Sequence, residues 1–99
     1  MTDMPSMPIG TASISWSDSS NTTHIRVYST DGYKVRERCW DGDGWTTGGF
    51  SAAGSQVSAT CWTDDSGEHI RVYCTFQDKT VEFGTDGGGS WYQGSYTTT

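Results

Sequence analysis

The sequence contains no leucine, and it has no hydrophobic run near the roughly 20 residues that a membrane-spanning helix needs. No window shows the 3.6-residue period of an amphipathic helix. The apolar positions hold mainly Trp, Tyr, Phe, Val and Ile, which favour pleated sheet. We therefore expect an all-β protein without a membrane-inserted segment.

Basic residues are scarce. Six Lys and Arg stand against twelve Asp and Glu, giving a net charge of −6. An acidic chain repels both the phosphate backbone of nucleic acids and anionic lipid surfaces. Nucleic acid and membrane surfaces are therefore poor partners, whereas an uncharged ligand is compatible with this charge.

Signals for disulfides, metals and cofactors are also missing. The three cysteines are odd in number and form no C-x-x-C pair, so we expect free thiols that are buried or half-buried. Asp41 and Asp43 resemble the start of a calcium loop, but Ala52 stands where a bidentate Glu is required. The expected cofactor and metal content is none.

The first twelve residues are rich in Met, Pro and Ser, and we expect residues 1–12 to form a flexible lead-in. They show neither the basic region nor the apolar core of a secretory signal. The expected localisation is therefore cytoplasmic, or secreted by a non-classical route.

One pentapeptide occurs twice, first at His24–Tyr28 and again 45 residues later at His69–Tyr73. Further positions recur at similar spacing, namely Trp16 with Trp62, Glu37 with Glu82, and Trp45 with Trp91. This tandem repeat has the length of a four-stranded propeller blade. We assign residues 13–54 to the first blade and residues 55–99 to the second.

Alternating polar and apolar residues, separated by turn signals, predict four short strands in each repeat. Asp31-Gly32 is a two-residue hairpin signal, and the segment 41–44 is a second turn. The predicted strands are 13–17, 24–30, 34–40 and 45–50, then 56–62, 69–76, 80–84 and 91–96.

Two blades cannot close a propeller, and an isolated pair would leave sheet edges exposed. Head-to-tail contacts between identical chains remove this problem when the rotation closes a ring. Because propellers typically hold about 4 to 8 blades, the residues alone allow a dimer, a trimer or a tetramer.

In each repeat an arginine is followed eleven residues later by a glutamate, as Arg26 and Glu37 show in the first. A guanidinium fork and a carboxylate can together hold vicinal hydroxyls, while the indoles of Trp40 and Trp45 offer flat apolar faces. This combination suits a sugar site. The alternative is a cross-strand ion pair on a solvated face, which contributes little to stability.

Residues 25–28, 37–45 and 48–50 resemble the blade motif of fungal-type fucose-specific lectins, and the resemblance extends over roughly residues 13–96. It implies a six-bladed β-propeller and multivalent, non-catalytic binding of L-fucose and fucosylated glycans. In the two-repeat bacterial members of this family, three chains supply two blades each, so the resemblance also implies a homotrimer.

The resemblance places sugar sites between neighbouring blades. A site between chains would use Arg71, Glu82, Ser95, Trp40, Trp45 and Ile25. A site within the chain would use Arg26, Glu37, Gly49, Trp91, Ile70 and Thr85. In the second repeat, Gly84-Thr85 replaces the Cys-Trp pair of the motif, and the turn before Trp91 is one residue longer. We therefore expect the within-chain site to be weaker.

Two other functions fit parts of the sequence. The segment 86–91 fits the Asp-box turn of sialidase propellers, but Glu37 and Glu82 each lie near their own arginine, which favours ionised acceptors over a glycosidase acid–base pair. A protein-interaction propeller is the second alternative. The repeat-specific Gly-His and Trp-Asp signatures of that class are not met.

Overall fold

The computed structural model of the chain describes residues 7–98. Within that range every regular element is a strand, which confirms the all-β prediction, and no helix is present that could span a membrane. The first six residues of the predicted lead-in lie outside the described range. The eight strands are β1 (Gly10–Ser17), β2 (Thr23–Thr30), β3 (Lys34–Trp40), β4 (Trp45–Ala53), β5 (Gln56–Asp64), β6 (Gly67–Phe76), β7 (Lys79–Asp86) and β8 (Tyr92–Thr97).

The strands form two four-stranded antiparallel sheets, ordered β1-β2-β3-β4 and β5-β6-β7-β8. Each sheet is a simple meander in which every strand pairs with its neighbour in sequence. The sheets correspond to the two sequence repeats, and their architecture is consistent with propeller blades.

Most predicted strand boundaries lie within a few residues of the observed ones. Strand β1 begins three residues early, because Gly10 and Ala12 continue the pairing with Thr30 and Tyr28 of β2. The turn after β2 contains three residues rather than two. There the Asp31 carboxylate accepts backbone N–H bonds from Tyr33 and Lys34, and Gly32 has a positive φ of 103°.

The core lies between the two sheets. The first sheet contributes Tyr28, Val35 and Phe50, and the second contributes Ile70 and Val72, all of them buried. Strands β1 to β7 each place at least one side chain in or against this core, whereas β8 is almost entirely exposed. Burial of these apolar groups is the main force that holds the sheets face to face.

Each sheet has two chemically distinct faces, which we name by their residues. The arginine face carries Arg26, Glu37 and Phe50 in the first sheet, and Arg71, Glu82 and Tyr96 in the second. The tryptophan face carries Ile25, Trp40 and Trp45 in the first sheet, and Ile70, Thr85 and Trp91 in the second. The strand registers and the core contacts assign these faces.

Within the chain, the arginine face of the first sheet packs against the tryptophan face of the second. The two remaining faces are uncovered. Solvent exposure of equivalent residues reflects this difference between covered and uncovered faces, since Phe50 is 4% exposed whereas its repeat counterpart Tyr96 is 46% exposed. The chain thus presents, on its two outer sides, the same two kinds of face that it joins internally.

The three cysteines are free thiols, with Cys39 and Cys74 buried and Cys61 half-buried, as predicted. Burial raises the pKa of Cys74 to about 11, so this thiol stays protonated at neutral pH. Among residues 7–98 no group of three or more metal-ligating side chains comes together.

Candidate functional site

Each arginine is fixed in the same way on its sheet. The Nη1 atom of Arg26 donates to Asp41 Oδ1 at 2.9 Å and to the Ile25 carbonyl at 3.0 Å, and its Cζ atom lies 5.0 Å from the ring centroid of Trp16. Arg71 repeats these contacts with Asp86, the Ile70 carbonyl and Trp62. Among the described residues, all of these bonds use Nη1. Within residues 7–98, the Nε and Nη2 atoms of both arginines donate no hydrogen bond.

Each glutamate is held as a hydrogen-bond acceptor. The Tyr28 hydroxyl donates to Glu37 Oε2 at 2.7 Å, and the Phe50 N–H donates to Oε1 at 3.3 Å. In the second sheet the Tyr73 hydroxyl donates to Glu82 Oε2 at 2.6 Å, and the Tyr96 N–H donates to Glu82 Oε1 at 3.1 Å. The Tyr73 hydroxyl, followed by the Tyr96 N–H, holds the pKa of Glu82 below its ordinary value, so this carboxylate is ionised at neutral pH.

The cross-strand ion pair that we considered as an alternative is wrong. The described ion pairs of Arg26 and Arg71 are with Asp41 and Asp86, not with the glutamates. Each sheet therefore offers an arginine and a glutamate that are held separately, by different groups. The arginine and the glutamate of each sheet do not form an ion pair with each other.

A glycine makes room for each glutamate. A Cβ atom at Gly48 would lie 2.6 Å from Glu37 Cδ and 2.7 Å from Cγ. A Cβ atom at Gly94 would lie 2.6 Å from Glu82 Cδ and 2.8 Å from Cγ. No side chain at these positions can coexist with the observed carboxylates, since real Cβ contacts do not occur below 3.0 Å.

The tryptophan faces differ between the sheets. On the first, the Trp40 and Trp45 rings lie 5.7 Å apart at 54°, and Trp45 is 45% exposed. On the second, Trp91 packs against the Phe50 ring at 4.6 Å, and the buried Thr85 hydroxyl donates to the Gly89 carbonyl at 2.6 Å. The first sheet offers two indoles to a ligand, and the second offers one that also belongs to the core.

The predicted within-chain residues are divided between the two sheets that pack on each other, with Arg26, Glu37 and Gly49 in the first sheet and Ile70, Thr85 and Trp91 in or beside the strands of the second. The predicted between-chain residues do not come together in one chain. Those on the second sheet are Arg71, Glu82 and Ser95, and those on the opposite outer side are Ile25, Trp40 and Trp45.

A histidine that hydrogen-bonds to two aspartates lies beside each arginine, and this repeated feature was not expected from the sequence. His24 donates through Nδ1 to Asp41 Oδ1 at 2.6 Å and through Nε2 to Asp18 Oδ2 at 2.8 Å. His69 makes the equivalent bonds to Asp86 and Asp64, at 2.7 and 2.9 Å. The signal was present, because an aspartate follows each histidine by 17 residues in both repeats.

Both imidazoles stack on an indole of the neighbouring strand. The His24 and Trp16 centroids are 5.2 Å apart at 13°, and those of His69 and Trp62 are 5.0 Å apart at 12°. Hydrogen bonds to Asp41 and then Asp18 raise the pKa of His24 above its ordinary value of 6.5. Bonds to Asp86 and then Asp64 raise the pKa of His69 in the same way.

Comparison with known proteins supports the resemblance seen in the motif. Residues 3–74 match the family model described as fungal fucose-specific lectin. The fucose-specific lectin of Aleuria aurantia is 40% identical over 68% of this chain and 22% of its own length. That of Aspergillus fumigatus is 38% identical over 74% and 24%, and that of Arthroderma benhamiae is 30% identical over 93% and 28%.

The chain thus spans about a quarter of the length of the curated relatives that it matches. The matched segment contains the first sheet, strand β5 and most of β6, including His69 and Arg71, whereas Asp86 lies beyond it. This coverage, together with a blade-like sheet for each repeat, places the protein: the chain belongs to the fungal fucose-specific lectin family.

Proposed function

We propose that the protein is a non-catalytic lectin that binds L-fucose and fucosylated glycans. The observation that carries this proposal is the arginine face of the second sheet. It presents the free donors of Arg71 beside the ionised Glu82 on an uncovered surface. The donors can bind one sugar hydroxyl while the carboxylate accepts from its neighbour.

Fucose fits the remaining chemistry of the site. The sugar is uncharged, so the acidic chain does not repel it. Its C6 methyl group gains from an apolar wall, which Ile25, the half-buried Trp40 and the exposed Trp45 provide on the other uncovered face. Both halves of the site exist, but they lie on opposite outer sides of the chain, and a second copy is needed to join them.

We infer that three copies assemble into a six-bladed ring. The internal contact of the two sheets provides a template, because the uncovered faces repeat the covered ones. A second copy would place its tryptophan face on the free arginine face of the first, in a head-to-tail contact. Such a ring buries both uncovered faces and presents several sugar sites, which raises avidity on multivalent glycans by about 10² to 10⁴.

A difference between the two repeats would make the contact between copies chemically different from the contact inside the chain. Inside the chain, the Phe83 ring lies 5.4 Å from Phe50 in an edge-to-face arrangement. The repeat counterparts of these residues are Arg38 and Tyr96, both exposed. The template therefore places the Arg38 guanidinium against the Tyr96 ring of the neighbouring copy, as a cation–π contact worth about 1 kcal/mol.

The two kinds of site are expected to differ in strength. The site between copies has both indoles, Trp40 and Trp45. The site within the chain has only Trp91, which already packs against Phe50, and its glutamate is almost fully buried. We expect the between-copy sites to bind fucose more tightly. Catalysis is not expected, because both glutamates serve as hydrogen-bond acceptors and neither is placed as a proton donor.

Native mass measured on dilute protein tests the assembly. We expect particles of three 10.8 kDa chains, and fucose should stabilise them against dilution because it bridges two copies. Arg38→Glu should shift the mass toward the single chain by placing a carboxylate against the Tyr96 ring. Lys79→Gln, which removes an exposed cation elsewhere, should leave the trimer intact. A folded single chain whose mass does not respond to fucose would contradict the proposal.

A further inference from the structure

The histidine clusters beside the two arginines are a second shared feature of the repeats. In each cluster one aspartate oxygen accepts two hydrogen bonds. Asp41 Oδ1 lies 2.6 Å from His24 Nδ1 and 2.9 Å from Arg26 Nη1, and Asp86 Oδ1 lies 2.7 and 2.9 Å from the corresponding atoms of His69 and Arg71. The imidazole and the guanidinium therefore share a single anchoring atom.

The same two groups share a second support. Trp16 stacks on the His24 ring, and the Arg26 guanidinium carbon lies 5.0 Å from the centroid of the same indole. A lateral shift of the imidazole would therefore disturb the guanidinium through two independent contacts. Since a guanidinium binds hydroxyls in a fixed plane, its orientation decides whether its remaining donors reach a ligand.

We propose that His24 and His69 are positioning residues for sugar binding, which hold Asp41 and Asp86 in place so that Arg26 and Arg71 present their free donors to the ligand. This inference rests on the proposed function. Neither histidine touches the sugar, and each acts through the shared aspartate oxygen.

The geometry requires each imidazole to carry a proton on both nitrogens. All four ring nitrogens lie within 2.9 Å of a carboxylate oxygen, and a carboxylate can only accept. A neutral imidazole would turn a lone pair toward one of these oxygens, and the aspartate or the ring would have to move. Loss of the proton therefore loosens the anchor of the arginine.

The charged groups around each histidine favour the cation. Asp18, Asp41 and Arg26 face His24, and the carboxylates dominate because there are two of them. The groove beside this cluster is lined by further acidic residues from the second sheet, namely Asp64, Asp65 and Glu68. His69 is faced by Asp64, Asp86 and Arg71, and by the hydroxyl of Ser66. The Tyr92 hydroxyl of β8 also donates to the second oxygen of Asp86, at 2.5 Å.

The direction of the pH effect follows from the raised histidine pKa values. The anchor is complete below pH 6.5, the ordinary histidine value, and is lost as pH rises through the raised pKa of the folded protein. On the acid side the hydrogen bond from His24 lowers the pKa of Asp41, and those from Ser66 and then His69 lower that of Asp64 to about 2. Affinity should therefore be constant in mild acid and fall in alkali.

Fucose titration calorimetry of the assembled protein at about pH 6 and about pH 9 tests this inference, with native mass recorded at both values. We expect wild-type affinity to be about five- to tenfold weaker at the higher pH, with the assembly unchanged. His69→Gln should weaken the tight sites by a similar factor at pH 6 and flatten their pH profile. His24→Gln should affect only the weak sites, and Lys79→Gln should behave as wild type.

Two further measurements keep the test decisive if a histidine variant fails to fold. Asp64→Asn leaves His69 and Asp86 in place and should lower the His69 pKa, measured from its imidazole proton resonances, while shifting the pH profile of the tight sites to lower pH. A wild-type affinity that is equal at both pH values, or a His69→Gln protein with an unaltered profile, overturns the inference. Absence of fucose binding by wild type at every pH would instead overturn the proposed function.

Discussion

Replacing Trp40 with alanine is expected to weaken the tight class of fucose sites by at least thirtyfold, which corresponds to about 2 kcal/mol. The ring forms half of the indole pair on the uncovered tryptophan face, 5.7 Å from Trp45. In the proposed site, its removal takes away the stacking surface for the sugar without opening a cavity in the core between the sheets. Calorimetry should show one class of sites lost and the weak class retained.

Tyr33 provides the matched control for this variant. It is 74% exposed, in the turn between β2 and β3, and belongs to neither uncovered face. Tyr33→Ala should therefore preserve affinity and stoichiometry. A Trp40→Ala protein that binds fucose as tightly as wild type, at the full number of sites, would show that the site between copies is wrongly assigned.

Replacing Gly48 with alanine is expected to reduce the free energy of unfolding by about 3 kcal/mol or more. The added Cβ would meet the carboxyl carbon of Glu37 at 2.6 Å, and Glu37 is only 5% exposed. The carboxylate must move, and the fully buried Tyr28 hydroxyl then loses its acceptor. Urea unfolding should show a lower midpoint with an unchanged slope.

The equivalent change in the second sheet separates stability from binding. Gly94→Ala brings its Cβ equally close to Glu82, but in the single chain that carboxylate lies on the uncovered arginine face, so it can move toward solvent when the two variants are compared in dilute, unassembled protein. We expect a much smaller loss of stability and a large loss of affinity at the tight sites. Equal destabilisation by the two variants would contradict the difference in burial between the two arginine faces.

Much of the fold could be predicted from the sequence, because the two repeats show the same strand pattern twice. The pentapeptide at His24–Tyr28 and its copy 45 residues later predicted the alignment of the two sheets. The alternation along β3 is the one expected of a strand, with Val35, Glu37 and Cys39 buried on one face. The roles of Arg26 and Glu37 could not be separated in this way. The sequence spacing of Arg26 and Glu37 was compatible with a direct ion pair between them. Only the side-chain geometry shows that Arg26 forms its ion pair with Asp41.

The histidine clusters show a second limit of sequence reasoning. Asp18 and Asp64 lie outside the strong motif, and their spacing to the histidines differs by one residue between the repeats. A carboxylate in a polar loop is usually solvated, so nothing in the local sequence distinguishes these two from Asp65. The pairing depends on where the loop between β1 and β2, and its counterpart after β5, bring the chain back to the sheet.

The two sheets are joined by only Gly54 and Ser55, whereas the proposed contact between copies would have no covalent link. The internal interface therefore forms at any dilution, but the external one follows mass action. If the proposed assembly is correct, protein at a concentration below the dissociation constant of the ring would have only the weak within-chain fucose sites. Raising the protein concentration would form the tight sites between copies. The number of sugar sites per particle would then depend on the concentration of the protein. At low concentration the protein would bind weakly to a glycan-coated surface, and at high concentration it would adhere to that surface.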